Sequence, residues 1–427
     1  MTNESDVGLK TRYYLLMVYA ALFGALSSLL TAGYITIYHL GINFFQQVSL
    51  SVLNINICPL ILLTGAGVLI GLLIKFFGQR GGLGVSQQEY AKTGRLNPRD
   101  LPSILPQAFI TLWSGAAVGP EGPLVFLTGG VGTFFSDRLK LQKDDVQVLV
   151  YSSIAGAFGG FFGQPVIGAL GAIEYMFIKE LDINRHFIPG LIAGSVGWAV
   201  YYLLLGTSFL GIYDFPSYDS PRLVDLWLAF LVGVIAGFIG IMYKLIFGIL
   251  HLAFSRLNKR PVSRAVIGGV IIGLIGSFLP LTLYSGQEQL LQIIHNPAAF
   301  GIGLLLLLFL VKALLTSTSY ATGFDGGPIF PLLFIGGTLG LMLSKILTFI
   351  PEGVGVMAGM AGVACAVFPL PLTVVLLLGL MGGQIDLIPI IAIGAVTGFL
   401  LSKALTPLLP KRGVHSGSGG GGESQRT

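Results

Sequence analysis

The chain has 427 residues, of which 54% are hydrophobic and 10% charged, with 61 glycines and a mean hydropathy of +0.84. Water-soluble globules carry about 25% charged residues, so this composition excludes a soluble fold and describes an integral membrane protein. The net charge of +5 is modest and reads as loop topology, not nucleic-acid binding.

Met1 to Lys10 is polar and lacks a signal-peptide pattern, so the first apolar run is expected to be a retained transmembrane helix. Apolar runs follow near 13–40, 57–77, 105–118, 146–178, 187–212, 223–254, 265–281, 299–321, 329–350 and 353–408. Several are long enough for more than one helix, and some are too short to span about 30 Å of hydrocarbon. Cys58 and Cys365 lie in or at apolar runs and supply neither a disulfide framework nor a metal set. His39, His186, His251, His295 and His415 show no metal-ligand spacing and are expected at interfaces. No cofactor is implied. Ser416 to Thr427 is Gly/Ser-rich and is expected to be disordered.

Basic residues cluster at Lys10 and Arg12, at Lys75 to Arg99, at Arg256 to Arg264, and at Lys411 and Arg412. The positive-inside rule places all four clusters, and both termini, in the cytoplasm. The helix beginning near Tyr13 then runs outward, and the one beginning near Leu223 runs inward. The two also resemble each other: Ala21 to Leu26 (ALFGAL) matches Phe230 to Ile235 (FLVGVI). Pro123 to Leu127 matches Pro331 to Ile335, and Ala155-Gly156 with Pro165 matches Ala361-Gly362 with Pro371, all at nearly constant offset. Similarity with opposite orientation predicts an inverted-topology repeat, an architecture that places ion sites near the midplane at interrupted helices. The expected organisation is a cytoplasmic segment 1–12, a first repeat 13–212, an extracellular linker 213–221, an inverted repeat 222–408 and a cytoplasmic tail 409–427.

Glu121 lies in Gly119-Pro120-Glu121-Gly122-Pro123, between apolar stretches. A charged side chain at membrane depth costs at least about 2.5–3.5 kcal/mol and is usually kept for ions or protons; a solvated turn at the membrane surface is the bland alternative. Three Gly/Pro-rich breaks lead into apolar helices: Gly81 to Ser86, Gly119 to Pro123 and Gly323 to Pro331. Glycine permits close approach, and proline suits a first helical turn. A helix N-terminus carries about +0.5 charge and unpaired N–H groups, so converging ends bind an anion without a buried cation. Chloride fits, since full positive charges would hold it too tightly to leave. Taken alone, Ser86 to Glu89 is a capping-box pattern, and Gly326 to Pro331 serves tight packing equally well. Lys312, inside Leu304 to Leu315, is expected to snorkel or pair before it binds substrate.

Gly119-x-Glu121-Gly122-Pro123 followed by Gly129-Gly130-x-Gly132, the turn Gly326-Gly327-Pro328-Ile329-Phe330-Pro331, and Gly82-Leu83-Gly84 with Ser86 resemble the anion-pathway motifs of the CLC chloride channels and chloride/proton antiporters. The resemblance covers about residues 13–408. It implies an all-α membrane fold with an inverted repeat of broken, tilted helices, a homodimer in the cell membrane with one anion pathway per subunit, and Glu121 as a gating glutamate. Its anion-binding positions fall on Gly82, Leu83, Gly84, Ser86, Gly119, Pro120, Gly122, Pro123, Gly326, Gly327, Pro328, Ile329 and Phe330.

The chain departs from the family where Leu83 replaces a serine, Ser86 a proline and Pro120 an arginine. The internal proton-transfer glutamate falls on Tyr175, with Glu174 one residue earlier. Tyrosine, with a reference pKa of about 10, is a poor proton carrier at neutral pH. The family's late pore tyrosine has no counterpart within 396–410. The expected function is therefore chloride transport gated by Glu121, as a channel or a weakly coupled chloride/proton antiporter. The alternatives are a fluoride exporter of the same fold and a cation-coupled solute symporter; an enzyme would need a convergent nucleophile or metal set, which the sequence lacks.

Overall fold

The computed structural model describes residues 4–47, 51–52, 55–79, 81, 83–176, 183–206, 218, 221–381 and 383–408. The expected tail 409–427 and nearly all of the linker 213–221 lie outside them. Sixteen α-helices dominate the described residues: α1 (Glu4–Gln46), α2 (Cys58–Phe77), α3 (Leu83–Thr93), α4 (Leu101–Ser114), α5 (Glu121–Arg138), α6 (Lys143–Phe161), α7 (Pro165–Tyr175), α8 (Ile188–Leu205), α9 (Leu223–Ser255), α10 (Pro261–Phe278), α11 (Gln287–His295), α12 (Ile302–Thr322), α13 (Ile329–Ile346), α14 (Glu352–Val367), α15 (Pro371–Met381) and α16 (Ile388–Leu405). Two two-residue strands, β1 (Ser51–Val52) and β2 (Ile55–Asn56), pair antiparallel. Among the described residues, eight helical segments are long and apolar enough to cross a membrane. The protein is a multi-pass, all-α membrane protein.

The long apolar runs divide where proline opens a helix. The run 146–178 holds α6 and α7, and 353–408 holds α14, α15 and α16, with Pro165 and Pro371 at first helical positions. α1 departs from the expected start near Tyr13 and begins at Glu4. No proline separates the polar segment from the apolar one, so the backbone continues as one helix through both. Its 43 residues reach about 65 Å at 1.5 Å per residue, well beyond the hydrocarbon thickness.

Helix contacts group the chain into two compact units that interleave along the sequence: Met1–Ile37, Val85–Ile104 and Pro123–Leu210, and Tyr38–Gly84, Leu105–Gly122 and Gly211–Thr427. In the first unit α6 packs against α7 and α8. A Cβ on Gly156 would lie 2.5 Å from the Gly24 Cα, and one on Gly197 would lie 2.2 Å from the Gly156 carbonyl oxygen, so α1, α6 and α8 meet backbone to backbone. In the second unit α14 packs against α9, α15 and α16. There a Cβ on Gly362 would lie 3.4 Å from the Gly233 Cα, and one on Gly398 would lie 2.2 Å from the Gly362 carbonyl oxygen. The residues that match in sequence, Gly24 with Gly233 and Gly156 with Gly362, thus make equivalent contacts within their own units. Helix lengths echo this: α5 and α13 have 18 residues, α7 and α15 have 11, and α8 and α16 have 18.

Close glycine contacts suit membrane helices, which associate by packing and not by a hydrophobic drive. Gly398→Ala is therefore expected to destabilise the protein by about 1–3 kcal/mol through overpacking. Gly303→Ala, where a Cβ meets nothing within 4 Å, serves as the control and should be neutral or stabilising. Thermal unfolding of both variants in micelles checks the contrast.

Candidate functional site

The second unit places two of the three sequence breaks against each other. α4 ends at Ser114, and Gly115 turns the chain at φ +92°. Ala116, Ala117 and Val118 follow, all buried. α12 ends at Thr322, and Gly323 adopts the left-handed conformation, φ +99°, as its cap. Before this cap the hydroxyls of Ser317, Thr318, Ser319 and Thr322 bond carbonyls four residues back, so buried polar side chains are satisfied within α12 itself. The two connections then pair: the Gly119 N–H donates to the Gly327 carbonyl at 2.7 Å, and the Gly327 N–H donates to the Gly119 carbonyl at 2.6 Å.

This pairing carries Glu121, the first residue of α5, to the start of α13. Its Oε1 accepts the Ile329 N–H at 2.7 Å, and the Phe330 N–H also bonds the carboxylate. Its Oε2 has no hydrogen-bond partner among the described residues, although Glu121 is fully buried. The carboxylate thus occupies a helix N-terminus as an anion would, held by backbone N–H groups and the positive end of α13. Pro328 caps α13, and Pro331 occupies its first turn, where a missing N–H costs nothing.

Glycine makes the fit. A Cβ on Gly327 would lie 1.9 Å from the Glu121 Cδ, one on Gly119 2.1 Å from Oε2, and one on Gly122 2.5 Å from the Gly326 carbonyl oxygen. Gly327→Ala is expected to push the carboxylate aside and strain the Gly119 pairing, destabilising the protein by about 1–3 kcal/mol through overpacking. Thermal unfolding of the variant in micelles tests this.

The break before α3 reaches the same turn through Gly81, where a Cβ would lie 2.0 Å from the Asp325 Oδ2. Gly82 is outside the described residues; Leu83 and Gly84 open α3. Ser86 is buried but does not cap the helix. α3 begins three residues earlier at Leu83, so Ser86 lies inside its first turn, and Glu89 accepts the N–H of Asn97 at 2.8 Å instead of closing a capping box. In the first unit, Gln87 of α3 donates to the Tyr175 carbonyl at 2.9 Å, which ties α3 to the end of α7. Tyr175 is buried against Phe158, with ring centroids 5.8 Å apart. Glu174 precedes it on α7, and Pro123 lies in the first turn of α5.

Three further residues, Tyr320, Tyr284 and Lys312, bear on the turns that form the site. Tyr320 donates to the Gly326 carbonyl at 3.0 Å; a hydroxyl-bearing aromatic one turn before Gly323 could have flagged it. Tyr284 adopts φ +56° and donates its N–H to the Gly115 carbonyl at 3.0 Å. Lys312 does not snorkel: it is fully buried, and its Nζ donates to the carbonyls of Thr282, Leu283 and Tyr284 at 3.1, 3.1 and 2.6 Å. No sequence pattern announces either the strained Tyr284 or those carbonyls, because they depend on how α12 packs beside the turn after α10.

A family profile described as voltage gated chloride channel matches residues 66–403. The chain belongs to this CLC family. Among its relatives, YfeO of Salmonella choleraesuis (strain SC-B67), a protein named for ion transport, is 31% identical over 310 residues, 72% of this chain and 74% of the relative. The H(+)/Cl(-) exchange transporter ClcA of Vibrio parahaemolyticus is 28% identical over 389 residues, 84% of this chain and 80% of the relative. The crystal structure of a CLC-type fluoride/proton antiporter superposes with a TM-score of 0.78 at 19% identity, covering 95% of this chain and 98% of that one. That likeness establishes the CLC fold.

Proposed function

We propose that this CLC chain conducts chloride across the cell membrane along a pathway that passes the N-terminus of α13, gated by Glu121. The observation that carries the reading is the Glu121 carboxylate seated on the Ile329 N–H: a negatively charged group attached to the chain fills a place suited to a small anion. Ionised, it competes with the anion; protonated, it weakens its hold on the N–H groups and can leave. Chloride is favoured by the likeness to ClcA. A channel or a weakly coupled chloride/proton antiporter is favoured by Tyr175, which stands where the family resemblance places an internal glutamate. Gly119, Gly326, Gly327, Ile329 and Phe330 form the anion site at Glu121, with Pro120, Gly122, Pro123 and Pro328 shaping the two helix starts. Leu83, Gly84 and Ser86 form the approach at α3, by backbone N–H groups and the Ser86 hydroxyl; Gly82, which the resemblance adds to this set, lies outside the described residues.

The repeated glycine contacts of Gly24/Gly156/Gly197 and Gly233/Gly362/Gly398 support an inverted repeat over 13–212 and 222–408. The basic clusters support cytoplasmic termini, and the resemblance supports a homodimer with two pathways.

The test is efflux from liposomes holding the purified protein, recorded for chloride and for fluoride with external pH followed alongside. Chloride flux without proton movement supports a channel, and uphill proton movement under a chloride gradient supports an exchanger. Flux of fluoride with no chloride flux overturns the assigned ion. Absence of both sinks the anion-pathway reading.

A further inference from the structure

The turn that binds Glu121 carries a second buried carboxylate, which the gate as described leaves unused. Asp325 is 8% exposed and is separated from Ile329 by Gly326, Gly327 and Pro328. Its Oδ2 lies 2.0 Å from where a Cβ on Gly81 would stand, so the carboxylate packs on the Gly81 backbone, just ahead of α3. The Asp325 carboxylate also accepts the Gly326 N–H within the turn, and a carboxylate buried in a membrane protein is expensive to keep. One connection therefore holds two carboxylates at two of the breaks: Glu121 on the N–H of Ile329, and Asp325 against Gly81.

The charged and titratable groups around Asp325 come from several elements. Arg264 of α10 lies near the α12 cap, its Nη2 3.4 Å from where a Cβ on Gly323 would stand. Its guanidinium is engaged by Gln79 Oε1 at 2.8 Å and Asn258 Oδ1 at 2.7 Å. Glu121 of α5 lies against Gly327, and the Tyr320 hydroxyl of α12 donates to the Gly326 carbonyl. Arg80, adjacent to Gly81 in sequence, lies outside the described residues.

We propose that Asp325 is a second gating carboxylate of the pathway, which when ionised holds the approach at Gly81 closed and when protonated releases it to the anion. The proposal rests on the reading of this turn as part of an anion pathway.

The test compares wild type, Glu121→Gln, Asp325→Asn, Asp325→Glu and the double variant Glu121→Gln/Asp325→Asn, each eluting as a single species in micelles. Chloride and fluoride efflux are measured from acid to neutral pH. Asp325→Asn is expected to raise flux at neutral pH by roughly tenfold or more, the gain when an open state populated to about 0.1–10% becomes the main one. Glu121→Gln should keep a rise of flux on acidification, Asp325→Glu should preserve it, and the double variant should lose it. A flat profile in Glu121→Gln, or a wild-type profile in Asp325→Asn, would overturn the proposal. Infrared difference spectra of the solubilised protein on acidification supply a readout independent of flux. A protonated-carboxyl band lost in Asp325→Asn is expected; identical spectra in wild type and Asp325→Asn refute a titrating Asp325, even if the anion-pathway reading itself had failed for want of flux.

Discussion

Glu121→Gln is expected to speed anion flux at neutral pH by roughly tenfold while cutting any coupled proton movement by at least as much. The reasoning starts from the bonds that hold the side chain down. A hydrogen bond to a charged group contributes about 1.5–3 kcal/mol and a neutral one about 0.5–1.5. An amide at position 121 therefore gives up about 1–1.5 kcal/mol of its hold on the Ile329 N–H, close to a factor of ten in occupancy. It also carries no charge to repel an incoming anion and no proton to exchange at neutral pH. The measurement is paired recording of anion efflux and external pH for wild type and variant in the same liposome preparation. Flux and coupling equal to those of wild type would remove Glu121 from the gate and return it to a structural role in joining α5 to α13.

Lys312→Met is expected to cause the largest loss of stability, about 3 kcal/mol or more, since each buried acceptor deprived of its donor costs about 1–3 kcal/mol. The ammonium serves three carbonyls at once and stands 5.2 Å from the centre of the Phe334 ring. Methionine matches the stem in length but offers no donor, so the carbonyls of Thr282, Leu283 and Tyr284 lose their shared partner. The effect should reach the site as well. Tyr284 is held at φ +56°, a conformation that bulky residues rarely adopt, by the bond from Lys312 to its carbonyl and by its own N–H bond to Gly115. Releasing it loosens the segment that leads from Gly115 to Gly119 and Glu121. Chemical denaturation in micelles measures the stability loss, and Lys312→Arg, which keeps the charge and several donors, should recover part of it. A Lys312→Met protein as stable as wild type would show that the cation is dispensable to the turn after α10.

Much of the site was legible in residue order because its parts are local. Gly119-Pro120-Glu121-Gly122-Pro123 marks a helix start through the backbone preferences of glycine and proline, and α5 does begin at Glu121. Pro328 and Pro331 mark the start of α13 in the same way. Ser86 misleads because a capping box is also a good first-turn sequence: with Gly82-Leu83-Gly84 before it, the helix starts at Leu83 and the serine falls inside. Glu89 then bonds Asn97, a partner that local sequence gives no reason to choose. The matched glycines were visible as letters, but their use was not. Gly156 is spaced like Gly362 in the sequence, whereas the contact of each with its own α8 or α16 depends on helices crossing at the distance of bare backbones.

By itself, the sequence determined that the protein lives in a membrane, that its helices break at three Gly/Pro-rich turns, and that one of those turns carries a glutamate. These features follow from hydropathy and from backbone freedom within a few residues. Only the tertiary structure decided that the Glu121 carboxylate seats on the Ile329 N–H, that Asp325 packs on Gly81, and that Lys312 spends its donors on Thr282, Leu283 and Tyr284. Each of those pairs joins residues far apart in the chain. Their meeting is set by how whole helices pack, through the summed fit of many side chains, and no short stretch of residues encodes it.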